Sequence, residues 1–260
     1  MPLVHAPAPG IIPVETLLLA YRAGIFPMAD RRDDPEVFWV EPRRRAIIPL
    51  DGFHCSHSLA KLLRQEKFAV TCNQAFAEVV EACAAPRPGH PESWISERIA
   101  ASYRALHRAG HAHSIECWAE GKLAGGLYGV GFGRVFCGES MFSRARDASK
   151  VALAWLVASM RRSGCVLLDC QFMTGHLASM GAVEIDQQDY CALLAAAQVP
   201  APAAGLADGV GEGDALGVAD AVGEGAGDAV PLGFGALLED AATAFSSPGK
   251  LIAQSLTQTS

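Results

Sequence analysis

The chain has 260 residues, half of them hydrophobic and only 19% charged, which excludes a largely disordered protein and suits one large domain or two modest ones. Its net charge of −7 is unevenly spread: residues 199–260 hold eight acids against one base, Lys250, leaving 20 of each sign in residues 1–198. A neutral body can still carry a basic face, so charge excludes neither nucleic-acid nor protein partners.

In chain order, VETLLLAYRAG (14–24) has helical periodicity and stops at a glycine. Four prolines (Pro27, Pro35, Pro42, Pro49) then restrict residues 25–53 to turns and short extended pieces. SHSLAKLLRQE predicts a helix capped by Ser56 or Ser58, FAVTCN a short strand, and QAFAEVVEACA a helix stopped by PRPGHP. SERIAASYRALHRAG (96–110) reads as an amphipathic helix ending at Gly110. Residues 113–143 predict a meander with turns at Glu120-Gly121 and Gly131-Phe132-Gly133. DASKVALAWLVASMRRSG is the clearest helix, with Asp147 or Ser149 as its cap and Gly164 at its end. The strand CVLLDCQF and the segment HLASMGAVEI follow. Residues 199–235 are nearly all Ala, Gly, Val, Asp, Glu and Pro and predict an acidic linker with weak or no structure, after which SSPGKLIAQSLTQTS regains apolar residues able to dock.

Eight cysteines without CxxC spacing, set in apolar segments, predict reduced buried thiols. The N-terminus lacks a basic stretch followed by an apolar one, and no apolar run approaches the roughly 20 residues of a membrane span. A soluble, cytoplasmic protein with no membrane partner is expected.

Candidate chemistry gathers in a few places. In CVLLDCQF, Asp169 and Gln171 are two residues apart, so a regular strand places both on one face. An unpartnered amide there costs roughly 2–7 kcal/mol of desolvation, so the pair needs partners or a purpose. Glu139 stands in RVFCGESMFSR as the only charge between Arg134 and Arg144, a second polar group in an apolar frame. His54 and His57, and His107, His111 and His113, lack acidic or cysteine ligands at metal-binding spacing and read as polar or capping histidines. Ser140 lacks a GxSxG context. Gly129, Gly131 and Gly133 run into a strand-like segment, so they read as a hairpin and not a phosphate cradle.

The stretches GIFPM (24–28), SWIS (93–96), GHAHSIECW (110–118), GGLYGV (125–130), FCGESMFSRARDASKVAL (136–153), LLDCQF (167–172) and HLASMGAVEI (176–185) resemble, in order and at consistent spacing, the leucyl/phenylalanyl-tRNA–protein transferases. The resemblance implies an α+β chain: a small N-terminal domain (1–46) and a larger domain (47–198) like the GCN5-type acetyltransferase (GNAT-like) fold. That domain would have a mixed, largely antiparallel sheet flanked by helices. The acidic tail with its short C-terminal segment (199–260) is outside the resemblance.

It further implies a monomeric enzyme that moves leucine, phenylalanine or, less well, methionine from aminoacyl-tRNA to proteins beginning with Arg or Lys. The new N-terminal residue would mark them for degradation, with no metal or organic cofactor. By the same resemblance Asp169 and Gln171 are catalytic, and Glu139 receives the α-amino group of the donor. Trp94 and Met28, the latter where the family usually has tryptophan, stand at the donor's terminal adenosine. Tyr103, Leu127, Phe136, Met141 and Leu153 complete the substrate-binding set. Arg43, Arg44, Arg45, Lys61, Arg64 and Lys67 are expected to share a face along the tRNA acceptor stem. The rivals are an acyl-CoA-dependent N-acyltransferase on the same fold and a non-catalytic tRNA-binding module.

Overall fold

A computed structural model describes residues 10–86, 91–199 and 227–257. Helix α1 (Val14–Arg22) leads into β1 (Phe26–Met28) and β2 (Phe38–Val40), which among the described residues pair only with each other. Strand β3 (Arg44–Ile48) follows, then α2 (His57–Arg64), whose cap Ser56 accepts a hydrogen bond from the Leu59 amide. Next come β4 (Ala69–Cys72), α3 (Phe76–Ala84) and α4 (Glu97–Arg108), capped by Ser96 on the Ile99 amide. The expected meander is β5 (Ala112–Ala119), β6 (Lys122–Phe132) and β7 (Val135–Ser143). Its turns fall where glycine permits positive φ, at Gly121 (+72°) and Gly133 (+54°).

Helix α5 (Ala148–Arg162), β8 (Leu167–Gln171), α6 (Gly175–Ala178), β9 (Val183–Asp186) and α7 (Gln187–Gln198) complete the body. Strands β4-β5-β6-β7-β8-β3-β9 form one seven-stranded sheet, parallel only between β7 and β8. The protein is therefore α+β with a mixed, largely antiparallel sheet. Strand β3 enters that sheet between β8 and β9, so the expected division between residues 46 and 47 lies inside a strand.

One core, with α2 and α5, covers one sheet face; the other, with α1, α3, α4 and α7, covers the opposite face. In β8 the alternation shows directly, Leu168 entering the first core and Leu167 the second.

Three readings need correction. Asp147 stands at the α5 N-cap but its side chain makes no capping bond; it pairs with Lys150 at 3.1 Å, and the Ser149 amide is met by Ser143 Oγ. Cys191 is exposed, although the other seven cysteines are buried or half-buried. Within the supposed linker, residues 229–235 begin α8 (Ala229–Thr243); α9 (Pro248–Thr257) follows, and the rest of the linker from residue 200 to 226 lies outside the described residues.

The reason lies in α5, which is apolar almost all round. The sheet covers only one of its sides, and α8 covers the other, with Phe234 against Trp155 at 5.0 Å between ring centres. Gly233 makes that crossing close: a Cβ there would stand 2.0 Å from the Ser159 carbonyl oxygen, whereas one at Gly235 would meet nothing within 4 Å. Gly233→Ala is expected to destabilise the protein by roughly 1–3 kcal/mol through forced separation of the helices. Gly235→Ala, in the same helix, should be neutral or stabilising by up to about 1 kcal/mol. Thermal and denaturant melts of the two variants check this.

Candidate active site

Strands β7 and β8 pair over Val135–Cys137 and Leu167–Asp169, and beyond that point a cavity of about 750 Å³ opens between their ends. Its walls come from β6 and β7 (Leu127, Met141, Phe142), α5 (Leu153, Leu156), α6 (Leu177) and Trp94 ahead of α4. Glu139 and Gln171 are the polar groups set deep in this apolar frame. Glu139 reaches it through a bulge: opposite Tyr128 and Gly129 stand Ser140 and Gly138, leaving Glu139 as the extra residue.

A buried chain of hydrogen bonds holds both. Gln171 Nε2 donates to Glu139 Oε1 at 2.7 Å, and the Tyr103 hydroxyl donates to Glu139 Oε2 at 2.7 Å. Tyr103 is in turn 2.6 Å from the Tyr21 hydroxyl. Burial pushes the Glu139 carboxyl up to about 7, and the hydrogen bond from Tyr103 holds it back from rising further. Fixing the Gln171 NH2 on Glu139 also fixes which end of the amide, its oxygen, is left for a ligand.

Asp169, separated from Gln171 by one irregular residue, Cys170, is fully buried behind the wall. Its Oδ1 accepts from Arg45 Nε (2.9 Å) and from the Gln171 amide (2.8 Å), and its Oδ2 from Arg45 Nη2 (2.6 Å) and Tyr190 (3.0 Å). Four donors occupy the carboxylate, so it has no free position for a substrate ammonium.

Sequence comparison bears on what such a site does. Residues 10–43 match the N-terminal domain of leucyl/phenylalanyl-tRNA protein transferases, and residues 47–195 match the leucyl/phenylalanyl-tRNA protein transferase domain. A leucyl/phenylalanyl-tRNA–protein transferase of Novosphingobium aromaticivorans is 65% identical over 262 residues, covering 97% of this chain and 98% of that protein. Those of Rhizorhabdus wittichii and Zymomonas mobilis are each 57% identical, over 75% and 67% of this chain and 79% and 65% of theirs. The chain belongs to the leucyl/phenylalanyl-tRNA protein transferase family. It is thus an enzyme, an aminoacyltransferase.

Of the residues that the resemblance to this transferase family singled out, Trp94, Leu127, Glu139, Met141, Leu153 and Gln171 line the cavity. Four lie elsewhere. Tyr103 is one layer back, bonded to Glu139. Phe136 is buried behind the wall, its ring filling the space a Cβ on Gly129 would need. Asp169 is sealed from the cavity, as described. Met28 is half-buried in β1, next to Ala29, whose amide donates to the Trp94 carbonyl.

The basic face also changes: Arg45 is buried on Asp169, and Arg44 is held by Glu184 (3.1 Å) and Asp186 (2.6 Å). Arg43, Lys61, Arg64 and Lys67 are exposed. Arg45, Tyr21, Tyr190 and His176 were not foreseen at the site. For Arg45 a signal existed, since it shares a strand face with the core residue Ile47. Among the histidines, His107 Nδ1 donates to the Ala112 carbonyl (2.7 Å), and its ring stacks on Phe76. His113 bridges Asn73 and the Gly227 carbonyl. Among the described residues no group of three or more His, Cys, Asp or Glu side chains could hold a metal, and no helix is long and apolar enough to cross a membrane.

The Glu139 carboxyl sits above an ordinary glutamate, so its contribution to stability is complete at acidic pH and is lost as pH rises through about 7. Tyr103→Phe removes the donor that favours the ionised form and should move that transition upward in pH. Stability lost by the variant should therefore be larger above pH 7 than below it, measured by denaturant melts on both sides. An equal loss on both sides would argue against this assignment of the hydrogen bond.

Proposed function

We propose that this enzyme transfers leucine, phenylalanine and, less well, methionine from aminoacyl-tRNA to the N-terminal α-amine of proteins that begin with Arg or Lys, in the cytoplasm, and so marks them for degradation. The observation that carries the reading is the apolar cavity closed at its inner end by the hydrogen-bonded pair Glu139 and Gln171. The names of the relatives support leucyl- and phenylalanyl-tRNA as donors and a protein as acceptor.

An aminoacyl ester is already activated, so the protein's task is to place an amine against its carbonyl and to guide one proton. The new C–N bond forms as the C–O bond to the tRNA breaks, and the proton released from the amine ends on the departing ribose oxygen. Leu127, Met141, Leu153 and Leu156 would take the donor's side chain. Unbranched and γ-branched walls accept Leu, Phe and Met, and a flexible methionine adapts to all three. Ionised Glu139 would receive the donor's α-ammonium, while the Gln171 oxygen accepts from the attacking amine and orients it. Trp94 on the rim, with Met28 nearby, is suited to stack on the terminal adenine. Exposed Arg43, Lys61, Arg64 and Lys67 would add phosphate contacts. Aminolysis of an ester consumes no redox cofactor. A phosphate cradle for acyl-CoA has no counterpart in residues 126–131, whose amides belong to the β5–β6–β7 ladder.

The test supplies labelled Leu-tRNA, Phe-tRNA, Met-tRNA or acetyl-CoA with a peptide beginning in Arg. Label should pass from the three aminoacyl-tRNAs, and transfer from acetyl-CoA alone would overturn the reading. Gln171→Glu should lower turnover by roughly 10²–10³ with donor KM nearly unchanged, because the loss falls in the transition state. Glu139→Gln should raise donor KM as well as lower the rate. Full activity in both variants would remove the pair from the mechanism.

A further inference from the structure

Behind the cavity lies a buried cluster that the transfer chemistry does not touch. The Arg45 guanidinium is 1% exposed and lies between two rings, 4.9 Å from the centre of Phe26 and 4.4 Å from that of Tyr190. Its Nη1 donates to the Gly24 carbonyl at 2.9 Å, and the other two contacts form a fork on Asp169. Burial disfavours the charged guanidinium, but the hydrogen bonds and charge of Asp169 outweigh this and hold it protonated.

Arg45 thereby joins three elements: the Gly24–Phe26 bend after α1, its own strand β3, and the end of β8. The consequence is at Gln171. Strand β8 is irregular there, with Ala46 opposite Gln171 and Ile47 opposite Asp169, so Cys170 is bulged. Gln171 itself has φ of +62°, a left-handed backbone that a non-glycine residue adopts only when its surroundings impose it. The Gln171 amide donates to Asp169 Oδ1, the oxygen that Arg45 Nε also holds. That hydrogen bond spans two residues and closes the turn that points the Gln171 side chain at Glu139.

We propose that Arg45 is a positioning residue: by gripping both oxygens of Asp169 it imposes the left-handed turn at Gln171 and so aims that amide into the cavity. Its effect on transfer rests on the function proposed above. The small N-terminal domain acts on the reaction through the same link, because Gly24 and Phe26 complete the socket around the guanidinium. Asp169 is then also a positioning residue, with its carboxylate saturated by four donors.

Two full-length variants test this. Arg45→Lys keeps a positive charge but not the fork. Arg45→Met with Asp169→Leu replaces the pair by apolar groups of similar size, which avoids leaving a lone buried charge and favours folding. Hydrogen exchange of the Gln171 amide, measured by NMR well below each melt and compared with Leu168 in the same spectrum, should quicken about tenfold or more in both. An unchanged ratio overturns the proposal. Single-turnover transfer from Phe-tRNA should fall about 100-fold per folded molecule, as small misplacements of reacting groups do, with donor KM within about twofold of the parent. A double variant that melts near the parent temperature and transfers at the parent rate also overturns the proposal. So does a loss that merely follows the folded fraction. If the parent protein transfers nothing from Phe-tRNA, the proposed function fails, and the exchange ratio alone then decides whether Arg45 sets Gln171.

Discussion

Arg45 and Asp169 bury opposite charges against each other where β3 and β8 meet, and much of the molecule is arranged around them. Taking two ions out of water is expensive, and the Coulomb attraction offsets the cost only when every remaining donor and acceptor is used. Here each guanidinium nitrogen has an acceptor, on Asp169 or the Gly24 carbonyl, with two aromatic faces against the plane, and both carboxylate oxygens are held by Arg45, Tyr190 and the Gln171 amide. The partners come from the bend after α1, from β1, β8 and α7, so satisfying the pair requires these and β3 to be in place together. A requirement of this kind selects one arrangement among many that bury similar apolar area.

The cavity follows from a departure from regular pairing. A parallel pair of strands that stayed in register would fill the space between β7 and β8 with side chains. Instead Glu139 is bulged on β7 and Cys170 on β8, and the two polar groups bridge the gap with a hydrogen bond. Glu139 has donors on both oxygens yet no cation among its direct partners, so burial raises its proton affinity to about neutrality. A carboxyl poised there can be ionised when a cationic group enters and neutral when the site is empty, at little cost either way.

Helix α5 shows how one element dictates its surroundings. With Leu153, Leu156 and Val157 buried along with Trp155 and Met160, it has no face for water. Helices α8 and α9 supply the missing cover, and they lie beyond residue 195, where the match to the transferase domain ends. The Novosphingobium relative aligns over 97% of the chain, so its likeness extends into this region.

By itself the sequence determined the local pieces: a cap at Ser56 or Ser58, the amphipathic helix that begins at Ser96, the turns at Gly121 and Gly133, the α5 helix, and a strand that carries Asp169 and Gln171. These are set by neighbours within a few residues, through capping, glycine conformation and side-chain period. The motifs also carried the family, and with it Glu139, Trp94 and the apolar wall. Only the tertiary structure decided which carboxylate faces the cavity. Asp169 and Glu139 are alike in sequence terms, each a lone acid among apolar residues, yet one is sealed by Arg45 from 124 positions away and the other opens to a ligand. The RRR run gave no such indication by its charge, because whether an arginine meets solvent or a buried carboxylate depends on a strand pairing made across most of the chain. Helix α8 was hidden for the same physical reason: Pro231, Gly233 and Gly235 in its first half argue locally against a helix, and only the tertiary structure shows that Gly233 is where the helix packs against Ser159.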